Sequence, residues 1–124
     1  MAARILLVED DEMTLRLLET VLRHDGYDVF STADGPQGIE IYRQKRPDLV
    51  LLDLALPSMN GLEVMRELKE LDAHANILVV TGFASEESAE IAARYGAQAY
   101  IEKPFEIADL SEWVKAALHR IGGS

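Results

Sequence analysis

The chain has no cysteine, which excludes a disulfide framework, a thiolate nucleophile and any zinc or iron–sulfur site built on thiolates. Cations are also scarce. Twelve Lys and Arg stand against 22 Asp and Glu, leaving a formal charge of −10. Phosphate backbones are gripped by clustered basic residues, so direct binding of nucleic acid is not expected. No apolar run approaches membrane-spanning length. Ile5 to Val8 is closed by acids, which fits neither a signal peptide nor a membrane span and points to the cytoplasm. Internal repeats, low-complexity tracts and Pro-rich linkers are missing too. One domain over residues 1–121 with a flexible tail at 122–124 is therefore expected.

What is present is the balance of an ordinary globular protein, 48% hydrophobic and 27% charged. Apolar runs of strand length, rich in β-branched residues, occur at Ile5 to Val8, Leu49 to Leu52 and Ile77 to Val80. Weaker ones fit at Asp28 to Thr32 and Ala99 to Glu102. Helical patterns lie between them. Leu15, Leu18 and Leu22 form a stripe before a stop at Gly26, and Pro36 suits a first helical turn. Asn60 with Glu63 three residues on resembles a capping box, and Ser85 with Glu86 and Glu87 starts a helix that ends by Gly96. The last helix carries Ile107, Leu110, Val114, Ala117 and Leu118. Strict alternation implies right-handed crossovers and an α/β, doubly wound, five-stranded parallel sheet with helices on both faces. Such sheets bind ligands at the carboxyl ends of their strands.

The residues at those ends are polar: Glu9-Asp10-Asp11, Asp53, Thr81-Gly82 and Lys103-Pro104. If the first, third, fourth and fifth strands are neighbours, carboxylates, a hydroxyl and an ammonium converge above one edge. Crowded carboxylates repel, which raises their pKa values and calls for a cation. Hard oxygen donors in a partly open site suit Mg²⁺, whereas zinc would recruit His or Cys. His24, His74 and His119 fall away from these ends and read as solvated surface. A metal beside a carboxylate, a lysine and a hydroxyl is what phosphoryl transfer needs, with Asp53 as nucleophile and Lys103 and Thr81 holding phosphoryl oxygens.

Val8-Glu9-Asp10-Asp11, the segment Asp53 to Gly61, Thr81-Gly82 and Lys103-Pro104-Phe105 together resemble the receiver domains of response regulators, over nearly the whole chain. The resemblance implies a flavodoxin-like strand order 2-1-3-4-5. It makes Glu9 and Asp10 the metal-binding acidic pair, Asp53 the phosphoacceptor and a metal ligand, and the backbone carbonyl of Ala55 a further ligand of Mg²⁺. Thr81 and Lys103 then bind the phosphoryl group, and the Lys103-Pro104 bond is expected to be cis. Tyr100 matches the aromatic residue that swings inward as the Thr81 hydroxyl follows the phosphate, with the change read out on the fourth helix, fifth strand and fifth helix. Asp11 reads instead as a helix cap, and Trp113 as core or half-buried packing.

The resemblance also supplies partners. A sensor histidine kinase or histidine phosphotransfer protein donates the phosphoryl group, and a downstream protein or covalent output domain responds. A phosphorylation-dependent homodimer is compatible with it. Met13, Thr14 and Leu17 on the first helix, with Pro104 and Phe105, form the expected docking surface, since Met13 and Leu17 fall off the core stripe. Ala55 and Phe83, each two residues beyond a site residue, offer no polar side chain to order an attacking water, so slow self-dephosphorylation is expected. Three alternatives stand beside this reading. A Mg²⁺-dependent phosphatase of haloacid dehalogenase type would want an Asp where the chain has Ala55. A flavin or nucleotide carrier would want a Gly-rich loop after the first strand. An unphosphorylated interaction module would have no use for Asp53, Thr81 and Lys103.

Overall fold

The computed structural model describes residues 2–122. Five strands alternate with five helices: β1 (Arg4–Val8), α1 (Glu12–His24), β2 (Asp28–Thr32), α2 (Gly35–Lys45), β3 (Leu49–Leu52), α3 (Gly61–Leu71), β4 (Ile77–Thr81), α4 (Glu86–Arg94), β5 (Ala99–Glu102) and α5 (Ile107–Gly122). The strands form one parallel sheet in the order β2-β1-β3-β4-β5. The expected tail begins one residue too early, because Gly122 still belongs to α5. Gly123 and Ser124 lie outside the described residues.

Alternation along each strand divides the core in two. Leu6, Val8, Val50, Leu52, Ile77 and Val79 pack towards α2, α3 and α4, meeting Ile39, Val64, Met65 and Leu68. Their neighbours Ile5, Leu7, Leu49, Leu51, Leu78 and Val80 point the other way, onto Leu18 and Leu22 of α1 and Leu110, Val114 and Ala117 of α5. Both faces of the central strands are thus sealed, which explains why β1, β3 and β4 read as unbroken apolar runs. Each fully buried Leu or Ile contributes about 1.5–3 kcal/mol by removal from water. Ile107 departs from the expected stripe. It stays 43% exposed, while the buried seam of α5 begins at Leu110.

Four helices start on side-chain caps. Asp11 accepts from the Thr14 amide (3.0 Å), Asp34 from Gln37 (2.9 Å), Asn60 from Leu62 (2.8 Å) and Ser85 from Ser88 (3.0 Å), each satisfying an N–H without a helical partner. The capping box expected at Asn60 is not closed. Glu63 turns outward to Arg66 (3.1 Å) instead of reaching back, because an exposed guanidinium one turn on competes for it. Gly96 ends α4 at φ +89°, a left-handed conformation that side-chain-bearing residues rarely adopt. Gly61 serves a different purpose. Its N–H donates to the Leu54 carbonyl (2.9 Å), and a Cβ there would lie 2.4 Å from Leu54 Cα and 2.7 Å from the Asp53 carbonyl oxygen. Only a residue without a side chain lets α3 start so close to the end of β3.

Candidate functional site

The sheet's hydrogen-bond ladder runs one residue past the strands and so fixes the backbone of the polar residues at their ends. The Glu9 N–H donates to the Thr32 carbonyl (3.0 Å), Asp53 to Val8 (2.9 Å) and Lys103 to Thr81 (2.8 Å). Pairing of Val8 with Leu52 sets Glu9 and Asp53 side by side, and pairing of Thr81 with Glu102 carries Lys103 across. Glu9, Asp53 and Thr81 are buried, while Asp10 is exposed. Carboxylate oxygens of Glu9, Asp10 and Asp53 lie within 4.8 Å of one another, an all-oxygen donor set able to hold a hard divalent cation.

Lys103 supplies positive charge to this cluster. Its Nζ donates to Glu9 Oε1 at 2.5 Å and to Asp53 Oδ2 at 3.1 Å. Burial works against its ammonium form, but the bonds and attraction of Glu9 and Asp53 outweigh that and hold its pKa above the usual lysine value. Glu9 behaves as crowding predicts. Burial pushes its carboxyl up to about 7, with proximity to Asp53 adding to the rise and the Lys103 hydrogen bond opposing it. The other oxygen of each carboxylate is also committed, Glu9 Oε2 to the Asp11 amide (3.0 Å) and Asp53 Oδ1 to the Ala55 amide (3.1 Å). Asp10 has no hydrogen-bond partner among the described residues. The Lys103-Pro104 bond is cis.

On the far side of Asp53, the fully buried Thr81 accepts the Phe83 amide at its hydroxyl (3.1 Å), an arrangement that leaves the hydroxyl proton available. The Phe83 ring is 77% exposed at the rim, and Ala55 is half-buried. Tyr100 packs its half-buried ring against the core beneath α4. Its hydroxyl accepts from the Ser85 amide (3.3 Å) and shares a hydrogen bond with Ser88 Oγ (2.5 Å).

The model for the response regulator receiver domain matches residues 5–115. The chain belongs to the response regulator receiver family. It is 34% identical to the polar-differentiation response regulator DivK of Brucella anthropi, an alignment covering 95% of this chain and 98% of that protein. It is 33% identical to sporulation initiation phosphotransferase F of Bacillus subtilis, with 95% of both covered. Against the DNA-binding response regulator MtrA of Mycobacterium tuberculosis, identity rises to 41%, but the match spans 97% of this chain and 52% of MtrA. Among solved structures, a CheY-like receiver domain from Methanospirillum hungatei superposes with a TM-score of 0.94 at 33% identity, covering 97% of this chain and 96% of that one.

Receiver domains are signalling domains of two-component systems, and this family fit lends no support to the phosphatase alternative. In this receiver domain Glu9, Asp10, Asp53 and Lys103 meet at one edge, with Thr81 at the neighbouring strand end. Asp11 sits outside as the α1 cap. Thr14, Leu17, Lys103, Pro104 and Phe105 line a hollow of about 380 Å³. Met13, 82% exposed, stands on the same helix but outside that lining. All three His are exposed, and Trp113 is half-buried against the α1/α5 core. Ser85 and Ser88 were not legible as partners of Tyr100. The only trace is a Ser three residues beyond a Ser cap, which reads as ordinary helix chemistry. Among the described residues, no helix is long and apolar enough to cross a membrane.

Proposed function

We propose that the chain is a phosphorylation-dependent switch that receives a phosphoryl group on Asp53 from a phosphohistidine of a sensor kinase or phosphotransfer protein. The observation that carries this is the convergence of Glu9, Asp10 and Asp53 with Lys103, whose Nζ lies 3.1 Å from the Asp53 carboxylate, beside the buried Thr81 hydroxyl. The all-oxygen donor set fits Mg²⁺, held by Glu9, Asp10, Asp53 and the Ala55 carbonyl. When bound, the ion neutralises charge on the phosphoryl oxygens.

In the transfer an Asp53 oxygen forms the O–P bond as the P–N bond of the phosphohistidine breaks and its electron pair returns to the imidazole. Lys103 is already hydrogen-bonded to the nucleophile and shifts its bond from Asp53 to a phosphoryl oxygen. Thr81 donates its free hydroxyl proton to another oxygen, and its movement frees space towards Tyr100. The equilibrium between conformations then changes at α4, β5 and α5. Thr14, Leu17, Pro104 and Phe105, joined by Met13 at the edge, receive the phosphodonor beside Lys103. The names of the B. subtilis relative, a phosphotransferase, and of DivK, a response regulator, support transfer between proteins rather than turnover of a small substrate.

Incubation with acetyl phosphate and Mg²⁺, followed by intact mass, tests the reading. Wild type is expected to gain one phosphoryl group and Asp53→Asn none. An unmodified wild type overturns it.

A further inference from the structure

Between β3 and α3 the chain runs as a loop over residues 53–60, and this loop carries the Ala55 carbonyl proposed above as a metal ligand. Its two ends are tied from within. The Ala55 N–H donates to Asp53 Oδ1 (3.1 Å) and the Gly61 N–H to the Leu54 carbonyl (2.9 Å). Its middle is held from outside, by the start of α2. The Ser58 hydroxyl donates to Asp34 Oδ1 (2.5 Å), while Asp34 Oδ2 accepts the Gln37 amide as the α2 cap (2.9 Å). The Ser58 bond and the cap bond hold the Asp34 carboxyl below its ordinary value. Asp34 is fixed in turn to the end of β2. Its N–H donates to the hydroxyl of the buried Thr32 (3.1 Å), that hydroxyl donates to Gln37 Oε1 (2.5 Å), and the Thr32 carbonyl takes the Glu9 N–H (3.0 Å). Packing is close on both sides of α2. A Cβ on Gly38 would lie 2.9 Å from Val8 Cγ2, and one on Gly35 would lie 2.8 Å from Val64 Cγ2 and 3.2 Å from Met59 Cβ. The helix thus rests at once on the residue before Glu9 and on the loop that follows Asp53.

We propose that Ser58 and Asp34 are positioning residues for Mg²⁺: their hydrogen bond, with α2 as the rigid piece behind it, fixes the loop that offers the Ala55 carbonyl relative to the backbone of Glu9. Neither residue belongs to the acidic cluster that would hold the ion. Mg²⁺ demands near-ideal octahedral geometry with ligands at about 2.0–2.1 Å, so a main-chain ligand on a loop is effective only where the loop is held still. Partners that orient ligands without touching the metal set affinity for the same reason. Capping of α2 does not account for the contact. Asp34 Oδ2 meets the Gln37 amide by itself, and the exposed Ser58 adds nothing to that bond. The proposal rests on the metal-dependent switch reading and adds to it the residues that tune metal affinity from outside the cluster.

The test is a titration of the EDTA-treated full chain with Mg²⁺, followed by the rise in melting temperature, which yields a dissociation constant without any phosphoryl donor. Ser58→Ala changes no charge and leaves the α2 cap in place. It is expected to weaken Mg²⁺ about three- to tenfold, and Ser58→Thr, which keeps the hydroxyl, to restore affinity to within about twofold of wild type. Ser111→Ala is the control. It removes a hydroxyl donated to another carboxylate, Asp25 (2.9 Å), between α5 and the end of α1, and should leave Mg²⁺ affinity within about twofold. A merely structural Ser58 would lower the melting temperature equally with and without Mg²⁺ and leave the dissociation constant unmoved. That result overturns the proposal, as does a Ser58→Thr form as weak as Ser58→Ala, or equal weakening by Ser111→Ala. The phosphoryl mass gain from acetyl phosphate is measured on the same samples. An adduct on wild type with unchanged Mg²⁺ affinity in Ser58→Ala fails the positioning role alone, and weakened affinity without an adduct on wild type fails the switch alone.

Discussion

Lys103 holds Glu9 more tightly than it holds Asp53, at 2.5 Å against 3.1 Å. The lysine therefore rests mainly on a carboxylate that is not the proposed nucleophile, and Glu9 remains a titratable group near neutrality, with its carboxyl pushed up to about 7 by burial. In the metal-free protein this has a defined sign. Folded Glu9 keeps a proton that the unfolded chain, at its ordinary value of 4.5, gives up, so stability falls as the pH rises from 4.5 to 7. Lys103 itself stays an ammonium throughout that window, because its pKa is raised from an already high value. Denaturation in EDTA should show a loss of about 1–3 kcal/mol between pH 5 and 7.5. Glu9→Gln should flatten that slope, and an unchanged slope in the variant would rule out Glu9 as its source.

Metal should reverse the penalty. If the folded cluster holds Mg²⁺ and the unfolded chain does not, Mg²⁺ at 100 times its dissociation constant should stabilise by about 2.7 kcal/mol. Asp10→Asn should blunt that gain and also raise the melting temperature of the metal-free protein, by removing one of three crowded charges. A metal-free variant less stable than wild type would count against crowding.

The rim is expected to set the lifetime of the phosphorylated state proposed for Asp53. Phe83 and Ala55 present no group able to orient an attacking water, so the acyl phosphate should decay slowly. Radiolabel should be lost faster from Ala55→Asn, which adds an amide there, and from Phe83→Ala, which uncovers the mouth. Unchanged lifetimes in both variants would sink the idea.

Tyr100 and Ser88 should be energetically coupled. Their hydroxyls share a hydrogen bond between β5 and the first turn of α4, and such a bond contributes about 0.5–1.5 kcal/mol net. A double-mutant cycle with Ser88→Ala and Tyr100→Phe should return a coupling of about that size. Additive losses would mean that the tyrosine is held by ring packing alone.

The sequence disclosed the parts whose causes are local. Strands sealed on both faces show as apolar runs, caps show as Asp, Asn or Ser before a helical pattern, and acids at strand ends announce the site. Long-range preferences were hidden. Lys103 lies 94 residues from Glu9 and 50 from Asp53, and no periodicity says which carboxylate it favours. The outward turn of Glu63 depends on Arg66 winning a competition between two nearby partners. Ile107 follows the apolar rhythm of α5, yet lies beyond the reach of the core. A hollow lined by Tyr100, Phe105 and Trp113 arises only when β5 and the start of α5 come together.

The close approach of Gly61 to Leu54 and Asp53 gives heredity a role in this site. A mutational screen scored for phosphoryl acceptance should find Ala55 permissive, whereas position 61 should be nearly as intolerant as Asp53 itself. Any side chain there must displace the main chain that carries Asp53. Selection would therefore preserve a residue that contributes no chemistry, and the pattern of inherited change in such chains would record clearance as strictly as reactivity.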